Sequence, residues 1–178
     1  MKLPKIIVVL LLLGLALPTH AASRQEIDVY VDEALDTFRK HTSAGAALAS
    51  RARGMLVFPK VYKAGFGIGG EYGEGALRVG GRNIAYYSTA AASIGLQAGA
   101  QRKSQIILFM TDAALNKFRA SKGWEIGVDG SVALADMGAG EAIDSQTLKQ
   151  PIIGFIFSNE GLMFNLNLEG SKITPIVR

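Results

Sequence analysis

Between Gly65 and Gly75 a glycine stands at every second position but one: Gly65, Gly67, Gly69, Gly73 and Gly75, with Glu71 in the gap. Alternate residues of an extended chain share a face. A strand here therefore shows one face of nearly bare backbone and another carrying Phe66, Ile68, Gly70, Tyr72, Glu74 and Ala76. Bare strands cost conformational entropy, so something must press closely on them: a crossing helix, a second sheet layer or a sharp bend. The device recurs. Ile68-Gly69 with Gly73 is echoed by Ile94-Gly95 with Gly99, and loosely by Ile126-Gly127 with Gly130. An offset of four returns to the same strand face. The pattern predicts a curved or barrel-like sheet with glycine at its tight points. The alanine-rich segment from Ser43 to Arg53 is a candidate for the covering layer.

Gly65-x-Gly67-x-x-Gly70 also spells a dinucleotide fingerprint, but its surroundings do not fit one. That site needs a helix opening at the last glycine and an acid about 20 residues on. Here Glu-Tyr-Gly-Glu-Gly follows Gly70, and Ser88 to Ser93 contains no acid. No phosphate-loop motif of the Gly-Lys-Ser/Thr kind is present either. No nucleotide and no other cofactor is expected.

Ser23-Arg-Gln-Glu26 is a capping box, and Ile27, Tyr30, Val31, Ala34, Leu35 and Phe38 follow it at the spacing of one helical stripe. The opposite face is acidic, with Glu26, Asp28, Asp32, Glu33 and Asp36 against Arg24, Arg39 and Lys40. A membrane-lying helix is normally basic there, so this helix is expected to pack on the domain. A second short helix is expected over the alanine-rich segment, and a third over Asp112–Ser121, capped by Thr111 or Asp112. Met55–Phe58 is expected as a brief buried strand stopped by Pro59. Further strands are expected at Gly65–Tyr72, Ala76–Val79, Ile84–Ser88, Ser93–Ala100, Gln105–Met110, Trp124–Leu134, Ile152–Ser158 and Leu162–Leu168. Gly80–Asn83, Gln101–Ser104 and Ser158–Gly161 carry the turn signals. No linker interrupts the chain. The expected fold is a single α+β domain: a mainly antiparallel sheet, an N-terminal amphipathic helix and one or two further helices.

Lys2 and Lys5, the twelve-residue apolar run Ile6–Leu17, Pro18 and the small residues Thr19 and Ala21 make a secretory signal, with cleavage expected after Ala21. Twelve residues fall short of the roughly 20 that cross a bilayer. The expected division is a signal peptide over 1–21 and a domain over 22–178, placed in the periplasm or secreted. Loss of Lys2 and Lys5 takes the basic count from 19 to 17 against 15 acidic residues, a net charge of +2. So mild a balance argues against nucleic acid as a partner. The chain has no cysteine, which excludes disulfides, thiol catalysis and a cysteine-linked lipid anchor. His41 is the one histidine outside the leader. It follows Arg39-Lys40 at a helix end, where solvated histidine is favoured by the helix dipole, so neither a metal site nor a catalytic triad is expected.

"ARGMLVFPKVYKAGFGIGGEYGEGAL" resembles the opening of the SYLF domain, a lipid- and actin-associated module of eukaryotic endocytic proteins that also occurs in bacteria. "SIGLQAGAQ", "GWEIGVDGSVALADMGAG" and "FSNEGLMFNLNLEGSKI" are similar to its later blocks, in order. The resemblance spans about Ile27 to Ile173. It implies binding to membranes through anionic headgroups, phosphoinositides in eukaryotes, together with actin binding there, and no enzymatic activity. Eukaryotic lipid binding is attributed to a basic N-terminal region, whereas the helix here is acidic. An exported bacterial protein does not normally meet actin or phosphoinositides, which leaves anionic phospholipid or another envelope amphiphile as the expected partner.

No acid lies between Asp36 and Glu71, yet Arg51, Arg53, Lys60 and Lys63 do, around Met55–Phe58 and with Tyr62 among them. Cations beside apolar and aromatic groups suit a bilayer interface, each contributing about 1 kcal/mol near an anionic surface. These residues are the candidate lipid-binding set, joined by Arg102 and Lys103 at an expected hairpin tip. Each could equally form a solvated rim, and Trp124 could be either an interfacial anchor or a core residue. Two other readings stand beside lipid binding. One is an envelope protein-interaction or maintenance module. The other is a hydrolase using Glu71, Glu74 or Asp129, for which Glu71 on the glycine face would have to be perturbed by burial.

Overall fold

The computed structural model describes residues 21–135, 143–158, 161–162 and 168–178. Helix α1 (Arg24–His41) opens on the expected capping box. The Ser23 hydroxyl accepts from the Glu26 amide, and the Glu26 carboxylate accepts from the Ser23 amide. Helix α2 (Ser43–Arg51) follows, then two long strands, β1 (Gly54–Val79) and β2 (Arg82–Phe109). Helix α3 (Asp112–Ala120) is capped by Thr111. The short strands β3 (Trp124–Glu125) and β4 (Ala133–Leu134), strand β5 (Ile152–Ser158), strand β6 (Gly161–Leu162) and strand β7 (Lys172–Ile176) complete a sheet of seven strands among the described residues. Every strand pairing among the described residues is antiparallel except β4 with β5. This is the expected α+β domain with a curled, mainly antiparallel sheet.

Its frame is the β1–β2 ribbon. Gly80 and Gly81 join the strands at φ of 56° and 78°, the left-handed pair that a two-residue hairpin turn requires. The ribbon does not stay flat. At Gly65–Gly69 it folds back, so that the two halves of β1 lie face to face. A Cβ on Gly73 would stand 2.7 Å from the Lys60 carbonyl oxygen, and one on Gly75 would overlap the Val57 carbonyl. One on Gly65 would collide with the Gly69 Cα. The bare face is thus covered by the strand's own first half. Helix α2 is not the cover: it packs on α1, and a Cβ on Gly45 would meet the Phe38 ring at 2.6 Å.

Three sequence expectations fail for one reason, the length of these strands. Pro59 does not stop a strand. β1 runs through it with a register shift between Phe58 and Val61. Pro59 lies inside that shift and has no register partner in β2, so its missing N–H leaves no ladder bond empty. Gln101–Ser104 is not a turn, because Arg102 and Lys103 pair with Tyr62 and Val61 in mid-ribbon. The separate strands expected along 55–79 and along 84–110 are two continuous ones. Trp124–Leu134 is strand only at its ends. The alternation expected over 163–167 lies outside the described residues.

The pleat divides the core. Val57, Ile106 and Leu108 face α1 and meet Ile27, Val31, Leu35 and Phe38. Leu56, Phe58, Ile107 and Phe109 face the other way and meet Leu115, Phe118 and Trp124. Trp124 is 2% exposed, with its ring 5.5 Å from that of Phe118, so it is the core tryptophan of the two alternatives. Leu56–Phe58 is fully buried rather than an apolar surface between cations.

Candidate functional site

The far end of the folded ribbon, where β1 turns back, gathers groups that the core does not use. Successive strand residues point to opposite faces, which sorts the cations there. Lys103 points inward and is 6% exposed. Its Nζ lies 2.7 Å from Glu71 Oε2, and Lys63 Nζ lies 3.7 Å from Glu71 Oε1. Glu71, the one break in the glycine row, thus fills the space between the layers with a carboxylate held by two ammonium groups. A paired, largely enclosed carboxylate is a structural element, and this arrangement gives Glu71 that use. Arg102, one residue before Lys103, points outward and is exposed.

Helix α1 lies along the ribbon and leaves two clefts. The first, about 580 Å³, is lined by Lys60, Arg102, Lys103, Gln101 and Ser104 from the ribbon and by Tyr30, Glu33 and Thr37 from the helix. The second, about 730 Å³, is lined by Ile27, Tyr30, Pro59, Tyr62, Tyr72 and Glu74 among others. Tyr30 and Lys60 belong to both. The Lys60 ammonium stands 2.9 Å from the centre of the Tyr30 ring, a cation–π contact that fixes the side chain while leaving its charge unneutralised. Among the described residues neither Lys60 nor Arg102 has a carboxylate within ion-pairing distance. A cationic cleft therefore opens beside a tyrosine-lined one.

In the second cleft Tyr72 donates to Glu74 Oε1 at 2.9 Å. Burial first, and then this bond, hold its phenol above the ordinary value. Glu74 is also paired with Arg178.

Of the sequence-predicted site residues, Lys60, Arg102, Lys103 and Tyr62 meet at these clefts. Lys63 sits just inside, against Glu71. Arg51 and Arg53 line neither cleft. Arg51 is exposed at the end of α2, and Arg53 faces Asp112 at 3.6 Å in an exposed pair. Such pairs contribute little. Sequence reasoning missed Tyr30, Gln101 and Tyr72. Tyr30 was legible only as part of the helical stripe, and nothing local marks which end of that stripe overhangs a cation. Among the described residues no group of three or more histidine, aspartate or glutamate side chains could hold a metal ion. No described helix is long and apolar enough to cross a membrane.

Residues 90–176, from the middle of β2 to the end of β7, match the family model described as Ysc84, Las17-binding protein actin regulator. None of the curated proteins matches the chain.

Proposed function

The chain belongs to the SYLF domain family, a lipid- and actin-associated family of binding domains, and from that premise we propose that it binds membrane surfaces through anionic phospholipid headgroups. One observation carries the reading: Lys60 and Arg102, free of carboxylate partners among the described residues, line a cleft that adjoins a tyrosine-lined apolar one. A phosphate-bearing head fits the first and the glycerol or upper chain of an amphiphile fits the second. The acidic face of α1 is occupied elsewhere, which moves the headgroup contact from the N-terminal helix to the ribbon. The domain works as a binding module without catalysis. The leader pattern at 1–21 supports action in the periplasm or outside the cell.

Co-sedimentation tests this. The protein should pellet with phosphatidylglycerol vesicles more than with phosphatidylcholine ones, and less as salt rises. Lys60→Gln with Arg102→Gln removes about 2 kcal/mol of surface attraction, roughly a 30-fold loss of partitioning. Equal binding to both vesicle types, or to neither, sinks the proposal. The family description names a Las17-binding actin regulator, which favours a second reading, a module that docks a protein of the envelope. Recovery of one stoichiometric protein partner without vesicle binding would support it.

A further inference from the structure

We infer that the bend of the β1–β2 ribbon is a wedge that enters the bilayer interface, with Ile68 as its deepest side chain; this rests on the membrane reading above. Ile68 is 79% exposed, although a branched apolar side chain in a strand normally packs. It stands at the point where β1 turns back, between Gly65 and Gly69, whose backbones touch and so narrow the end of the fold. Tyr72 shares its outward face at the same parity and is 51% exposed. On the other arm Tyr62, 54% exposed, is directly paired with the outward Arg102. Among the described residues, three of the eight exposed large apolar side chains therefore crowd one end of the molecule, which a random scatter of surface residues does not explain.

The order along that end matches the layers of a membrane surface. An aliphatic group leads, two tyrosines stand behind it with Arg102 level with Tyr62, and Lys60 follows. Tyrosines prefer the headgroup level, where a ring is apolar and its hydroxyl wet. Cations attract the anionic plane just above. The backbone also suits the place. Ile68 and Gly69 remain paired with Ile94 and Ser93, so the ladder continues on the far side of the bend. At the bend the ladder breaks only at the register shift between Gly65 and Gly67, and the unpaired backbone there limits entry to the hydrated interface rather than the hydrocarbon core. The same charges select this occupant over an apolar protein groove, which would leave Arg102 desolvated and unpaired.

The cysteine-free chain allows a direct test. Ile68→Cys and Val128→Cys are each labelled with a polarity-sensitive fluorophore. Val128 is 74% exposed, nearly as much as Ile68, and lies in the turn held to α3 by Lys117 on the Asp129 carbonyl. On vesicles of phosphatidylglycerol and phosphatidylcholine, the label at 68 should shift to the blue and be quenched by lipids brominated in the upper acyl chain. The label at 128 should do neither. Unlabelled Ile68→Asp should melt as the parent does and lose about tenfold in binding at high salt, where the apolar part dominates. Vesicle-bound protein with equal quenching at both positions, or none at 68, overturns the wedge and leaves the headgroup reading intact. Failure of the parent protein to bind any vesicle overturns both.

Discussion

The two ends of the folded ribbon have similar ingredients and use them differently. At the turn end, around Gly80 and Gly81, the charges between helix and hairpin face partners, and Arg82 alone of the described charges there stands in solvent without an ion pair. Asp28 of α1 accepts from Asn83 at 2.6 Å and from the Tyr86 hydroxyl at 2.8 Å. Arg78 pairs with Asp32, and Arg24 donates to the Tyr86 oxygen at 3.0 Å while lying over its ring. The acidic face of α1 is spent on clamping the helix to the hairpin. At the bend end the helix offers Tyr30 and Glu33 instead, and the outward cations remain unpaired among the described residues. Electrostatics holds the structure together at one end and is left over at the other. Leftover charge beside exposed tyrosine is what a binding surface requires.

The contrast can be broken in order of effect. Gly75→Val drives a side chain into the Val57 carbonyl, where backbone cannot yield, and should cost about 3 kcal/mol or more in urea unfolding. Gly80→Ala, with open space around it, should cost only about 1 kcal/mol, for its positive φ. Equal losses would refute the face-to-face packing of β1. Next comes Glu71→Gln, which leaves Lys103 buried beside an uncharged partner. A loss of about 3 kcal/mol is expected, and simultaneous Lys103→Met should recover much of it. No recovery would mean that Glu71 is held by something other than charge.

At the turn end, Asp28→Ala strands two donors and should cost about 1–2 kcal/mol, with vesicle binding unchanged. A matching loss of binding would tie the two ends together. The smallest effect is alkaline. Burial first, and then the bond to Asp28, hold the Tyr86 phenol above its ordinary value of 10.0. A raised value means that its contribution is complete below pH 10 and is lost as pH climbs through the folded value. Denaturation at pH 8 and above pH 10 should show a steeper loss for the parent than for Tyr86→Phe. Identical slopes would remove Tyr86 from the clamp's pH response.

Much of this was legible because it is local. The capping box, the α1 stripe, the Thr111 cap and the Gly80-Gly81 turn each depend on residues within a few positions of one another. The continuity of β1 and β2 was not. Pro59 and the polar run Gln101–Ser104 are breakers in an isolated segment, and only a 26-residue strand bonded to its neighbour along nearly its whole length overrides them. The site was half legible for the same reason. An acid-free stretch rich in cations is visible in one dimension, but Arg51 and Arg53 belong to it as fully as Lys60 does.

By itself the sequence determined that Gly65–Gly75 has a bare face and that something must lie on it, since alternation of side chains in a strand is a property of the backbone. Only the tertiary structure decided that the cover is the same strand folded back, because that contact joins Val57 to Gly75 and depends on where the ribbon bends. The same holds for the cations. Arg102 and Lys103 are neighbours of like charge in the chain. The fold puts one in solvent and the other on Glu71, because successive strand residues face opposite ways and only packing says which way is in.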